Sequence, residues 1–134
     1  MVILFDRDNL PSDIFEVIYS TSQQKIVARE LVKYMVANGS EIFKTEMSFA
    51  TKLHDGQYET VLESYRGKRV KMSYNKRQFY DRILTPMKAM GLIDYNLYKK
   101  TYRLSIKFSN ELLKIGLAWK QELRKIGARV PELQ

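Results

Sequence analysis

The chain has 134 residues, 45% of them apolar, and no cysteine. This length suits one domain with a single core, and the lack of cysteine excludes disulfide scaffolds, thiolate zinc sites and cysteine nucleophiles. The formal net charge is +8. We expect a soluble, cytoplasmic protein, because the apolar run at residues 1–5 is too short for a signal-peptide core or a membrane span.

The positive charge is concentrated in one part of the chain. Residues 1–64 hold six basic and ten acidic residues, a balance of −4, whereas residues 65–103 hold eleven and two, a balance of +9. Residues 104–134 add +3, from six basic and three acidic residues. Because each phosphate that Lys or Arg neutralises releases condensed counterions, this clustering predicts a polyanion-binding surface within residues 65–103. A merely solvated basic face is the alternative.

Two helices are predicted before residue 40. The Pro-Ser-Asp sequence at 11–13 is a helix-start signature for a short first helix. Thr21 and Gln24 form a candidate capping box for a second helix, whose apolar residues are spaced by three and four until Asn38-Gly39.

Shorter helices are expected between this point and the basic segment. An extended link at 41–44 leads to a brief helix that Thr45 caps and that ends near Asp55-Gly56. A further amphipathic helix over 57–66, closed by Gly67, is predicted by apolar residues at i, i+3, i+4 and i+7: Tyr58, Val61, Leu62 and Tyr65.

A basic helix is predicted over residues 75–90, after an extended stretch at 68–72. Asn75 is a good N-cap and Gln78 completes its capping box. At 100° per residue, one side of this helix is apolar and faces the core. That side holds Phe79, Tyr80, Ile83, Leu84, Met87 and Met90. The other side is polar and exposed, with Arg77, Gln78, Asp81, Arg82, Thr85 and Lys88.

The exposed side of this helix has the chemistry of a base reader. Arg bonds guanine through two hydrogen bonds, Gln suits adenine, Asp accepts from cytosine, and a Thr methyl contacts thymine. An ordinary solvated helix face is the alternative. Pro86 lies inside the helix and predicts a kink or a tightened last turn, and Gly91 permits a left-handed exit.

Alternation of period two predicts a two-stranded ribbon after the basic helix. Its strands are expected at 92–97 and 101–108, joined by a turn at Tyr98-Lys99-Lys100. Lysines at a hairpin tip suit contacts with phosphates or with a minor-groove edge. They could otherwise keep the loop soluble or protect an edge strand.

The sequence FYDRILTPMKAMGLI at 79–93, with the ribbon that follows, resembles the winged helix-turn-helix superfamily of archaeal and bacterial regulators and replication proteins. The resemblance covers roughly residues 21–108. It implies a recognition-helix role for Arg77, Gln78, Asp81, Arg82 and Thr85, and a wing role for Lys99 and Lys100. One departure is a separation of about 20 residues between the helix after Thr45 and the helix after Asn75, where the family has a tight turn. The second helix is therefore either the one after Thr45 or the one at 57–66.

The expected fold is mainly α with a small β-hairpin, in the form of a winged helix-turn-helix with extra terminal helices. It comprises an N-terminal strand or helix extension at 1–20, a winged-helix domain at 21–108 and a C-terminal helix at 109–134. The predicted DNA-binding residues are Lys71, Tyr74, Lys76, Arg77, Gln78, Asp81, Arg82, Thr85, Lys88, Lys99, Lys100 and Arg103.

A final helix capped by Ser109 and Asn110 carries an apolar stripe over four turns. We expect it to form a homodimer, because DNA-reading dimers match two-fold operators, although packing within a single chain is nearly as plausible. The predicted interface residues are Leu112, Ile115, Trp119, Leu123 and Ile126.

No catalytic, metal or cofactor site is expected. Asp6 and Asp8 follow an apolar run as in haloacid-dehalogenase-like phosphatases, but the other residues of that family have no counterpart, and His54 is the only histidine. We therefore expect a sequence-specific double-stranded DNA-binding protein, and most of all a transcription regulator. The alternatives are a winged-helix module that docks an acidic protein, or a DNA-binding component of replication initiation or segregation.

Overall fold

The structure, a computed structural model, describes residues 8, 10–44, 48–61 and 66–129. The Asp6 motif, the Thr45 cap, Leu62, Tyr65 and the end of the C-terminal tail lie outside these residues. In chain order the elements are α1 (Ile14–Ile18), α2 (Ser22–Ala37), β1 (Glu41–Phe43), α3 (Ser48–His54), β2 (Tyr58–Val61), β3 (Arg69–Met72), α4 (Lys76–Gln78), a π-helical segment (Phe79–Leu84), α5 (Thr85–Met90), β4 (Ile93–Asn96), β5 (Thr101–Leu104) and α6 (Lys107–Lys125).

The first two helices begin where the capping residues predicted. The side chain of Asp13 accepts a hydrogen bond from the Glu16 amide, and that of Thr21 accepts one from the Gln24 amide, each at 3.1 Å. Both bonds satisfy amides that the first turn of a helix leaves without a partner. The second helix ends at Ala37, and Gly39 takes the left-handed conformation with φ of 85°. The predicted helix at 22–38 is therefore confirmed.

A three-stranded antiparallel sheet joins two distant parts of the chain. Its strand order is β1-β5-β4, and Tyr102 of the central strand lies opposite Ile42 on one side and Tyr95 on the other. The extended link at 41–44 was predicted, but its pairing with the ribbon was not. With a second sheet formed by β2 and β3, the protein is a mixed α/β fold that is rich in helix and has two small antiparallel sheets, where the sequence predicted one hairpin.

The helix predicted over 57–66 is wrong, because residues 58–61 form a strand. β2 pairs with β3 in antiparallel register, with Tyr58 opposite Met72 and Thr60 opposite Val70. The hydroxyls of Tyr58 and Thr60 both donate to Oε2 of the buried Glu30 on α2, at 3.1 and 3.0 Å. A strand places these two side chains on one face, whereas a helix would separate them. We call β2 and β3 the first hairpin.

The ribbon after the basic helix is shorter than predicted. β5 ends at Leu104, and α6 begins at Lys107, so the strand expected over 101–108 and the caps expected at Ser109 and Asn110 are wrong. The amide of Lys107 donates to Oγ of Ser105 at 3.2 Å, and Phe108 is a buried residue of the helix. We call β4 and β5 the second hairpin.

Phe49 of α3 lies at the centre of the core and is fully buried. Its ring centroid lies 5.4 Å from that of Tyr34, 4.9 Å from that of Tyr58 and 5.5 Å from that of Phe79. One side chain thus joins α2, the first hairpin and the π-helical segment. Within the described residues, no helix is both long enough and apolar enough to cross a membrane.

Candidate nucleic-acid interface

The three segments α4, the π-helical segment and α5 follow one another without a break, and we call residues 76–90 the basic helix. Its start is held by two side chains. Oδ1 of Asn75 accepts from the Gln78 amide at 3.0 Å, as the capping prediction required. Nδ1 of His54, at the end of α3, accepts from the Lys76 amide at 3.2 Å. The only histidine of the chain is thus a second cap, a role that the sequence did not reveal.

The apolar side of the basic helix lies in the core largely as predicted. Phe79, Ile83, Leu84 and Met87 are at most 1% exposed, and Tyr80 is partly buried. Met90, in contrast, is 39% exposed, so its assignment to the core is wrong. Oη of Tyr19 donates to the carbonyl of Ile83 at 2.6 Å, which also anchors the helix to the N-terminal part of the fold.

The predicted reading side of the basic helix is exposed to solvent. Arg77 and Asp81 form an ion pair with a separation of 3.9 Å and side chains 92% and 69% exposed, so the pair is screened by water and contributes little to stability. Both groups are therefore available to exchange this contact for a ligand. The exposed residues of this side are Lys76, Arg77, Gln78, Asp81, Arg82, Thr85 and Lys88.

The middle of the basic helix is wound as a π-helix that ends two residues before Pro86. The sequence predicted a kink or a tightened last turn at this proline and not this wider turn, and residues 85–90 are α-helical. Pro86 has no amide hydrogen to give to the carbonyl of Arg82. Within the π-helical turn, the Tyr80 carbonyl accepts from the amide of Thr85, five residues later, and also from Oγ1 of Thr85 at 2.8 Å. The wider turn changes the angular spacing of side chains on either side of it. Arg77 and Lys88 are therefore rotated relative to each other, compared with a regular α-helix.

The second hairpin ends in an exposed turn that carries the predicted lysines. Oδ1 of Asn96 accepts from the amides of Tyr98 and Lys99, at 2.9 and 3.0 Å, and Lys100 adopts a φ of 55°. The side chain of Tyr98 is 99% exposed. Prediction from the sequence placed Tyr98 in the turn but not among the binding residues. An aromatic residue at a hairpin tip was the signal that could have included it.

Lys88 connects the basic helix with the second hairpin, and Arg103 pairs with Asp94 within that hairpin. Nζ of Lys88 lies 5.8 Å from the ring centroids of both Tyr95 and Tyr102, a distance at which cation–π attraction acts. On the same sheet, Asp94 accepts from Nζ of Lys107 at 3.1 Å and lies 4.0 Å from the guanidinium of Arg103. Asp94 therefore offsets part of the positive charge beside the hairpin.

Two residues predicted to bind DNA precede the helix, and the structure separates their roles. Lys71 is exposed on the outer face of β3. Tyr74 is only 7% exposed and packs in the core, while its amide donates to the carbonyl of Leu53 at 3.0 Å. The prediction that Tyr74 contacts DNA is therefore wrong, because its aromatic side chain packs in the core at the base of the first hairpin.

The apolar stripe predicted for the last helix exists and is mostly exposed. Leu112, Ile115, Trp119 and Ile126 are between 41% and 70% exposed, and Leu123 is partly buried. Of the residues of α6, only Phe108 is buried. This stripe therefore has no extensive contact with the described remainder of the chain.

Several tyrosines have pKa values shifted by their surroundings. Burial, the negative charge of Glu30 and the hydrogen bond to it raise the pKa of Tyr58 to about 12. Burial also raises the pKa of Tyr80, and burial followed by the proximity of Tyr80 and Tyr95 raises that of Tyr102. These phenols stay neutral near pH 7, so they add no negative charge to the basic surface.

The described residues include no group of three or more His, Cys, Asp or Glu side chains that could hold a metal ion. Comparisons with protein-family profiles, with curated proteins and with solved structures found no match.

Proposed function

We propose that the protein binds double-stranded DNA in a sequence-specific manner and regulates transcription, with a winged-helix arrangement. The observation that carries this proposal is the exposed polar side of the basic helix, where Arg77, Gln78, Arg82 and Thr85 project from a helix whose opposite side is buried. These residue types suit the edges of guanine, adenine and thymine in the major groove.

The order of the elements supports a winged helix. A helix, a strand and a short helix precede the basic helix, and the second hairpin follows it directly, with β5 paired between β1 and β4. Because residues 58–61 form a strand, we assign α3 as the second helix, and the first hairpin then stands in place of the tight turn expected after it. The lysines at the tip of the second hairpin, Lys99 and Lys100, are exposed and suit phosphate contacts.

Fluorescence anisotropy with a labelled random duplex, repeated at several salt concentrations, tests the proposal. We expect binding whose logarithmic affinity falls linearly with the logarithm of salt concentration, because phosphate contacts release counterions. Selection of bound duplexes from a random pool should then recover a preferred sequence. Failure to bind any duplex at low salt would reject DNA binding and favour an acidic protein as the partner of the same surface.

We also propose that two copies pair through α6 in antiparallel orientation. Its stripe is symmetric about Trp119, since Ile115 and Leu123 lie four residues on either side of it and Leu112 and Ile126 lie seven. Light scattering coupled to size-exclusion chromatography tests this pairing, and a monomeric mass at micromolar concentration would reject it.

A further inference from the structure

The first hairpin carries a dense group of positive charge, of which only Lys71 was predicted from the sequence to bind DNA. Residues 66–71 read Arg-Gly-Lys-Arg-Val-Lys, with four basic residues and no acidic one. All four basic residues are exposed: Arg66, Lys68, Arg69 and Lys71. Among the described residues, the one carboxylate that pairs with this group is Glu59, 3.9 Å from Arg69.

The hairpin has one face toward the protein and one toward solvent. Its inner face includes Tyr58 and Thr60, whose hydroxyls are bonded to Glu30. Side chains alternate along a strand, so Arg69 and Lys71 belong to the opposite face of β3. The bonds to Glu30 on α2 therefore fix which face of the hairpin remains outside, and that face is basic.

The base of the hairpin is attached directly to the start of the basic helix. Only residues 73–75 separate β3 from this helix, and the bonds from the Tyr74 amide to Leu53 and from the Lys76 amide to His54 hold that connection on α3. The second hairpin leaves the other end of the helix after Gly91-Leu92. The two hairpins thus adjoin opposite ends of one helix about 22 Å long, at ~1.5 Å for each residue.

We propose that the first hairpin is a second DNA-contacting arm, which binds backbone phosphates on the side of the site opposite to the second hairpin. This inference rests on the proposed function, because it places the basic helix in the major groove. A span of about 22 Å corresponds to roughly six base pairs at ~3.4 Å of rise. Lys68, Arg69 and Lys71 then extend the contacted duplex beyond the bases that the helix reads, without reading bases themselves.

The test uses the full chain with the triple substitution Lys68→Gln, Arg69→Gln and Lys71→Gln. We expect the slope of logarithmic affinity against logarithmic salt concentration to become shallower by about 2.7, at ~0.9 for each phosphate that the variant no longer neutralises. Hydroxyl-radical footprinting should show weaker protection on one flank only, and the preferred base sequence should be unchanged.

Two control variants test whether the effect depends on the position and the charge of the substituted residues. Lys114→Gln, Lys120→Gln and Lys125→Gln remove the same charge from α6 and should leave the footprint and most of the slope intact. The charge-preserving variant Lys68→Arg, Arg69→Lys and Lys71→Arg should bind as the unmodified protein does. Circular dichroism and thermal unfolding establish that each variant is folded.

The outcomes separate this inference from the function on which it rests. An unchanged slope and an unchanged footprint in the glutamine variant, while the unmodified protein binds its sequence, would reject the arm and leave the proposed function intact. An equal loss of affinity in the α6 control variant would also reject the arm, because net charge alone would explain the effect. Absence of any duplex binding by the unmodified protein at low salt would reject both.

Discussion

Oη of Tyr58, on the first hairpin, donates a hydrogen bond of 3.1 Å to Oε2 of Glu30 on α2. The same oxygen accepts from Oγ1 of Thr60 at 3.0 Å, and Oε1 accepts from Nζ of Lys33 at 3.1 Å. A carboxylate that is only 1% exposed is costly to bury unless such donors surround it. One buried acidic residue therefore binds the first hairpin to α2.

Glu30→Ala should lower the free energy of unfolding by about 3 kcal/mol, because two hydroxyls lose their acceptor and a charge-assisted network is removed. Urea denaturation monitored by circular dichroism measures the change. Glu111→Ala on α6 is the matched control, since the side chain of Glu111 is 64% exposed, and its removal should cost no more than about 0.5 kcal/mol. An equal effect of both substitutions would contradict the role assigned to Glu30.

Stability should fall as the pH rises through the interval between 10 and 12. The pKa of Tyr58 is raised from 10.0 to about 12 in the folded protein. The unfolded chain therefore releases this proton at lower pH than the folded chain, so the contribution is present below pH 10 and is lost by about pH 12. Burial raises the pKa of Tyr19 as well, which acts in the same direction. Urea titrations should show a weaker pH dependence in Tyr58→Phe, and an identical dependence would contradict this assignment.

Asp94→Asn should strengthen DNA binding. The substitution removes the carboxylate that pairs with Lys107 and Arg103, and so frees positive charge beside the second hairpin. We expect an affinity increase of several fold at low salt, which anisotropy titrations on one duplex would measure. Glu111→Gln is the control, since it removes the same charge beside Lys114 on α6. A weaker affinity in the Asp94 variant would show that the ion pairs position Arg103 instead of neutralising it.

Substitutions in the basic helix and in the second hairpin should weaken DNA binding in different ways. Arg82→Ala should cost roughly 1–3 kcal/mol of discrimination at one base pair. Lys99→Gln with Lys100→Gln should weaken binding to all sequences alike and make the salt slope shallower by about 1.8. Affinities measured on a panel of single-base variants separate the two patterns. Uniform weakening by both changes would mean that the helix does not read bases.

The two sides of α6 provide a matched test of dimer formation. Trp119 lies in the stripe, whereas Leu117 lies on the opposite side of the helix, and the two are 63% and 56% exposed. Trp119→Asp should therefore give a monomeric mass in light scattering, while Leu117→Asp should remain a dimer. Dissociation by both substitutions, or by Leu117→Asp alone, would place the interface elsewhere.

The elements that the sequence predicted correctly are marked by local signals. Thr21, Asn75 and Gly91 act within a few residues of their own positions, and the structure finds each in its predicted role. The exposed side of the basic helix followed from spacing alone, because its core residues are separated by three and four positions.

The elements that were missed depend on partners far away in the chain. Tyr58 and Thr60 lie on a strand, and their hydroxyls donate to Glu30, which lies 28 and 30 residues earlier. β1 pairs with a strand about 60 residues later, so nothing near Ile42 indicates its partner. Tyr74 has the residue type of a nucleic-acid contact, and only its burial removes it from the surface. A single sequence gives little direct information about which residues are buried and which distant segments pair.

In the connection between α3 and the basic helix, the number of residues does not determine the angle between the two helices. The two helices are held together by the bonds from Tyr74 to Leu53 and from Lys76 to His54, which lie at the base of the first hairpin. The intervening residues can therefore vary in number without altering the angle between the helices. A hairpin of another length or composition could be grafted at this point, which would make the segment a natural place to change how much duplex the protein covers.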